Sequence, residues 1–258
     1  MRNASAIAGL VIVEMIRRKD IYVLLFLTAL ITVLLGSMNL FGDPGIGRYL
    51  KEFCLLLIWI SSLVIAVSSA ARQLPGERES RTIFPLLAKP VTRGEVMLGK
   101  FLGCWAACGL TLVVFYIFFS VISGTREHSW PLVNYFQALW LHFIFCGVVV
   151  ALTLLGSLLF AAVSSNATII CVTVTGILLL GRHLHKVAMK TGGLAGSGLD
   201  ALYFSIPHLE WYDVRELIIH HWPPLDWMVI FQDTLYGAAY GGLFLLLAWL
   251  RWRRMAFS

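Results

Sequence analysis

Residues 128–181 read HSWPLVNYFQALWLHFIFCGVVVALTLLGSLLFAAVSSNATIICVTVTGILLLG, 54 positions without one Asp, Glu, Lys or Arg. A helix needs about 20 apolar residues to cross the roughly 30 Å hydrocarbon core of a bilayer. This run is too long for one crossing and long enough for two. The turn between them is expected at Ser164-Ser165-Asn166, where small polar side chains interrupt the apolar run. Four more charge-free stretches, 21–42, 53–71, 101–125 and 234–250, are each about one helix long. The expected fold is all-α, a polytopic membrane protein with six transmembrane helices near 21–40, 53–71, 95–123, 133–163, 167–181 and 227–250. The last must take in Asp233 to reach full length.

Composition agrees. The hydrophobic fraction is 59% and the charged fraction 13%, against about 45–50% and 25% in ordinary soluble chains. A soluble enzyme, a nucleic-acid reader and a disordered tail are excluded, so no nucleic-acid partner is expected and the bilayer is the first partner. Cys54, Cys104, Cys108, Cys146 and Cys171 all fall inside apolar stretches. A disulfide framework or zinc site needs clustered cysteines in polar loops, and these read as small apolar packers.

In a membrane chain, Lys and Arg report orientation. With six crossings, the side of the N-terminus collects Arg2, Arg17, Arg18 and Lys19, the basic residues of 72–100 and Arg251, Arg253 and Arg254, thirteen in all. The other side collects seven: Arg48, Lys51, Arg126, Arg182, Lys186, Lys190 and Arg215. Both termini are therefore expected in the cytoplasm, which an even helix count requires. The whole chain, 1–258, reads as a single transmembrane domain. It comprises an N-terminal interfacial helix (1–20), a cytoplasmic loop (72–95) and an extracytoplasmic segment (182–226). The apolar run 6–13 lacks a small-residue cleavage site and leads through basic residues into a full crossing, unlike a signal peptide.

The loop 72–95 is the most charged segment. It runs from a turn at Pro75-Gly76 through Glu77, Arg78, Glu79 and Arg81 to an apolar run, 83–88, that Lys89-Pro90 ends. Thr92 followed by Glu95 has capping-box spacing and opens the third crossing. A short amphipathic helix here would suit docking into a partner's groove. The competing reading is a solvated loop that balances its own charges.

The run Glu77-x-Glu79-x-x-Thr82, then Leu86-Leu87-x-x-Pro90-Val91-x-Arg93-x-Glu95 and Leu98-Gly99-Lys100, resembles the first cytoplasmic loop of type-2 ABC exporter permeases. The stretch 206–213, Ile-Pro-His-Leu-Glu-Trp-Tyr-Asp, is similar to that family's outer pattern of Pro followed by acidic and aromatic residues. Where many members have Gly before the Thr, this chain has Arg81. The resemblance implies the transmembrane permease subunit of an ATP-driven exporter in a bacterial inner membrane. It implies a homodimer coupled to a separate ABC ATPase subunit, with ATP and Mg in that subunit and no cofactor in this chain. Glu77, Glu79, Arg81, Thr82, Pro90 and Arg93 would then carry coupling, through a coupling helix seated in the ATPase.

Other motifs are weighed against plainer readings. Gly94-x4-Gly99-Lys100 has P-loop spacing, but Phe101 stands where Ser or Thr must ligate magnesium, and the residues belong to a membrane helix. The chain is not expected to be an enzyme. His183, His185, His220 and His221 lie in the outer segment, and imidazole suits copper or zinc. With no carboxylate or cysteine at i+3 or i+4, interfacial side chains are the competing reading. The stretch 192–198 reads as a flexible outer loop. His142, Gln232 and Asp233 lie about two turns into their spans and are candidates for a translocation path, or else reach the headgroup zone. Gly99, Gly103 and Ala107, and Gly237 with Gly241, are small-residue stripes for close helix approach, within the chain or between copies. Trp130, Trp140, Trp211, Trp222, Trp227, Trp249 and Trp252 fall near span ends, as an aromatic belt does. An intramembrane zinc or serine hydrolase lacks its His-Glu-x-x-His or Gly-x-Ser-x-Gly signature. A secondary transporter or channel, or a non-transporting scaffold, is the alternative to the exporter.

Overall fold

The computed structural model describes residues 2–17, 19–37, 44–75, 92–160, 162–191 and 193–255. In chain order they form α1 (Arg2–Arg17), α2 (Lys19–Ser37), α3 (Pro44–Ala71), α4 (Arg93–Glu127), α5 (Leu132–Leu159), α6 (Val163–Thr191) and α7 (Gly193–Ser205). A 3-10 turn (Leu209–Tyr212), α8 (Arg215–Ile219) and α9 (Trp227–Arg253) complete the chain. No strand occurs among the described residues. Among the described residues, five helices are long and apolar enough to cross a membrane: Lys51–Ala71 of α3, Arg93–Thr125 of α4, α5, Val163–Gly181 of α6, and α9. That is one fewer than the six expected. The counterpart of the first expected crossing is α2, a helix of 19 residues that packs on α3.

The most buried helix is α5, which packs against α3, α4, α6 and α9. Residues 132–159 carry no charge, so every face of the helix can be covered by apolar neighbours, and Leu141, Phe145, Cys146, Val149, Val150 and Leu154 are fully enclosed. The outer helices instead turn apolar side chains outward: Val172, Leu179 and Leu180 on α6, and Phe231, Leu235 and Leu246 on α9. Such faces are stable only against hydrocarbon or another protein. Cys104, Cys108 and Cys146 are buried free thiols among these side chains, and Cys54 and Cys171 are also free.

The turn between the fourth and fifth expected crossings lies earlier than Ser164-Ser165-Asn166. α5 ends at Leu159 and α6 begins at Val163. Ser164 and Asn166 occupy the first turn of α6, and Asn166 points inward, its Nδ2 donating to the Thr153 carbonyl at 3.1 Å. Gly156 leaves the room for that amide; a Cβ there would collide with it. A polar side chain that reads as a turn former is thus a stitch between two helices. α6 also runs on to Thr191, past the charged and imidazole side chains of 182–190.

Of the flexible loop expected at 192–198, Gly192 lies outside the described residues and 193–198 are helical. Gly193, at φ 62°, takes the left-handed backbone of a sharp turn and starts α7. Gly196 then sits so near the end of α6 that a Cβ would lie 2.9 Å from the Ala188 carbonyl oxygen. These glycines serve a tight reversal and a close helix contact.

The helix expected near the N-terminus forms as α1, and it runs lengthwise beside the first turns of α4. A Cβ on Gly99 would be 2.7 Å from the Ala4 carbonyl oxygen and 2.8 Å from Ile7; on Gly103 it would be 2.6 Å from Val11. Both partners advance four residues together, so the two helices are parallel. The Gly99–Gly103 stripe therefore packs inside the chain, and Gly237 likewise receives Ile144 and Tyr212. Trp252 departs from the aromatic belt, being fully buried, whereas Trp130, Trp211, Trp222 and Trp227 are exposed.

The seam predicts that Gly103→Leu destabilises the protein by about 1–3 kcal/mol through overpacking, and that adding Val11→Ala recovers part of the loss. Thermal unfolding in detergent measures both.

Candidate functional site

The loop residues Glu77, Glu79, Arg81, Thr82 and Pro90 lie outside the described residues. Both roots of the loop are described, and α4 holds each of them. At the first root, Lys100 is 2% exposed. Its Nζ donates to the Gln73 backbone carbonyl at 3.1 Å and to Gln73 Oε1 at 3.2 Å. An ammonium this deep needs such oxygen partners, since an uncompensated buried charge is costly. At the second root the capping box is present as the spacing predicts. The Glu95 amide donates to Thr92 Oγ1 at 3.2 Å and the Thr92 amide donates to Glu95 Oε2 at 2.9 Å.

Arg93, next to that cap, reaches across to the far end of the chain. Its Nη1 donates to the carbonyls of Trp252 (2.8 Å), Arg253 (3.2 Å) and Met255 (3.1 Å). The last carbonyls of a helix have no intrahelical donor, and a cation there also complements the helix dipole. Arg93 therefore caps α9, with the Trp249 indole nitrogen 3.5 Å from where a Gly94 Cβ would sit. A cluster of Lys100, Gln73, Thr92, Arg93 and Glu95 gathers the loop, α4, and the end of α9 at one place.

The Gly94–Phe101 run is the start of α4, with the Glu95 amide taken by the Thr92 cap, the amides from Val96 onward in helical hydrogen bonding and Lys100 turned to Gln73. A phosphate cradle needs a loop with free amides at that position. Of the translocation candidates, His142 is fully buried inside the bundle. Its Nε2 lies 2.6 Å from Ser62 Oγ and its Nδ1 3.3 Å from the Tyr116 hydroxyl, with the ring stacked on Trp59 at 4.3 Å. Ser62 donates its own proton to the Trp59 carbonyl at 2.9 Å. The arrangement that satisfies all four groups has His142 donating from Nε2 and accepting at Nδ1. Gln232 is exposed and Asp233 half-buried in the second turn of α9.

At the start of α5, polar side chains hold irregular backbone. Gln137 Nε2 donates to the Leu225 carbonyl at 3.0 Å and its Oε1 accepts from the Leu225 amide at 2.9 Å. Asn134 Nδ2 donates to the carbonyls of Leu217 and Trp222. Arg215 and Asp213 form a bidentate pair at 2.7 Å, and Arg215 lies 5.7 Å over the Trp59 ring. Burial works against the Arg215 charge, but the Asp213 hydrogen bonds and carboxylate outweigh it and raise its pKa. Tyr212, whose phenol burial pushes well above its usual range, stays a neutral donor and gives its proton to the Asp233 carbonyl at 2.9 Å.

Two of the four candidate metal-binding histidines have partners of their own. His220 Nε2 contacts Glu216 Oε2 at 2.8 Å, a carboxylate one turn earlier in the chain, and His221 Nε2 accepts from Lys51 Nζ at 3.0 Å. A cation beside His221 opposes a second one. His183 is exposed on α6, and the side chain of His185 lies outside the described residues. No three His, Cys, Asp or Glu side chains among the described residues come together as a metal site.

A membrane bundle built on a buried α5, with a charged loop rooted in its long fourth helix, defines a multi-pass membrane protein of the transporter-permease class. The family described as ABC-2 family transporter protein matches residues 5–251, and the chain belongs to it. No curated protein matches the chain. Family membership makes the protein the permease component of an ABC transporter and not its ATPase.

Sequence reasoning gave Arg93 a coupling role and did not foresee that its guanidinium also holds the end of α9. It missed Lys100 and Gln73 as a pair, although a lysine seven residues into a crossing was signal enough. Lys100→Met is expected to destabilise the chain by about 1–3 kcal/mol by leaving the Gln73 carbonyl without its donor. Thermal unfolding measures the loss, and limited proteolysis should cut the loop faster.

Proposed function

We propose that the chain is the transmembrane half of an ATP-driven exporter, pairing with a second copy and with a separate ABC ATPase that docks on the loop 72–95. Six crossings with both termini in the cytoplasm of a bacterial inner membrane complete this reading, α2 being the first crossing. The observation that carries it is the double rooting of the loop. Lys100 pins one end and the Thr92–Glu95 cap and Arg93 hold the other, so a push on the loop acts on α4 without slack. Glu77, Glu79, Arg81 and Thr82 would meet the ATPase, while Pro90 would end the docking helix. The outward apolar faces of α6 and α9 suit lipid or the second copy. A path between copies would be met by Gln232, which is exposed, and Asp233, which is half-buried, whereas His142 would have to act from within one bundle.

The experiment is a tagged pull-down in mild detergent from the native host. A soluble ABC ATPase is expected to co-elute, and Glu77→Ala with Glu79→Ala is expected to reduce its capture tenfold or more, a loss of about 1.4 kcal/mol. Capture of no ATPase by a folded wild-type chain would refute the reading, and undiminished capture by the variant would remove the acidic pair from the contact.

A further inference from the structure

One helix touches both the root of the loop and the outer turn. At its inner end, α9 is held by Arg93 through the carbonyls of Trp252, Arg253 and Met255. Toward its outer end, Tyr212 donates to the Asp233 carbonyl at 2.9 Å and the His208 amide donates to the Tyr236 hydroxyl at 3.1 Å. The rings of His208 and Trp211 pack on Tyr236 at 6.1 and 5.1 Å. Gly237 admits Tyr212, since a Cβ there would be 2.6 Å from its hydroxyl. From Asp233 to Trp252 is about 28 Å of helix at 1.5 Å per residue. An unbroken helix backed by α5 along its length bends little over that distance.

We propose that Arg93 and Tyr212 make α9 a strut, tying the root of the loop before α4 to the outer turn Leu209–Tyr212. Displacement of the first turn of α4 is then delivered to the outer face through α9. The role of the strut in transport rests on the loop being the ATPase docking site; the mechanical link itself does not. Arg93 is a positioning residue in this scheme. All three contacts are made by Nη1, whose two N–H groups are shared among the three carbonyls, so a lysine ammonium of the same charge can replace them in part.

Hydrogen–deuterium exchange on the full chain in lipid nanodiscs, without any ATPase, tests the link. Arg93→Ala is expected to speed exchange in the last turn of α9 and also at the amides of 208–214, the latter by about fivefold or more, the lower range of coupling between distant sites. Arg93→Lys is expected to restore the outer amides in part. By reciprocity, Tyr212→Phe is expected to loosen the last turn of α9. Acceleration confined to the last turn of α9 would overturn the proposal, since that is what loss of a local cap produces. Equal acceleration throughout α5, which signals global loosening, would overturn it as well. Because no ATPase enters the measurement, its failure leaves the docking reading standing, and failure of the pull-down leaves the strut measurable.

Discussion

Backbone that is not helical can pack against a helical bundle only if protein groups satisfy the amides and carbonyls it hides from water. The rest of this structure depends on how that demand is met. α5 brings Asn134 and Gln137 into the bundle, and those two amides take up the backbone groups of Leu217, Trp222 and Leu225. The outer segment can therefore fold back against the bundle with Leu209, Tyr212 and Ile218 buried. Asn166, in the first turn of α6, adds a bond to the Thr153 carbonyl of α5 and ties the two helices together.

The same rule governs the inner side. Lys100, Arg93 and the Thr92–Glu95 pair each satisfy chain ends that a helix leaves open, and all belong to α4. α4 is 35 residues long, about 52 Å at the helical rise, well beyond the roughly 30 Å of a hydrocarbon core. Its first turns receive α1 along the Gly99–Gly103 seam while Lys100 reaches Gln73 just past α3. A helix that both anchors the loop and carries α1 moves as one body with them. Polar satisfaction and mechanical connection are here the same contacts.

Much of the fold was legible in the residues. The expected crossings located α4, α5 and α9 to within a few positions, whereas α3 begins nine residues before its apolar run, and Thr92-x-x-Glu95 located the start of α4. What misled were residue types with two uses. Ser164 and Asn166 favour turns, yet a buried amide with one good acceptor is equally at home in a helix. Gly193 and Gly196 suit flexible loops, yet they also permit a sharp reversal and a close contact. Local preference cannot separate such uses, because the deciding atom belongs to a distant residue. Arg93 is the sharpest case, its partners lying some 160 positions away.

By itself, then, the sequence determined that the chain lives in a bilayer, that it is helical, that a charged loop interrupts its crossings, and to which kind of permease that loop is similar. Those properties follow from composition and short-range spacing, which hydrocarbon thickness and helix geometry read directly. Only the tertiary structure decided that α5 is the hidden axis, that α1 lies along α4, and that Lys100 and Arg93 hold the loop's roots. These depend on which helices come together, and hydrophobic faces made of Leu, Val and Phe look alike to any partner. Close approach at glycines and the pairing of a few buried polar groups make the choice, and neither can be seen until the chain is folded.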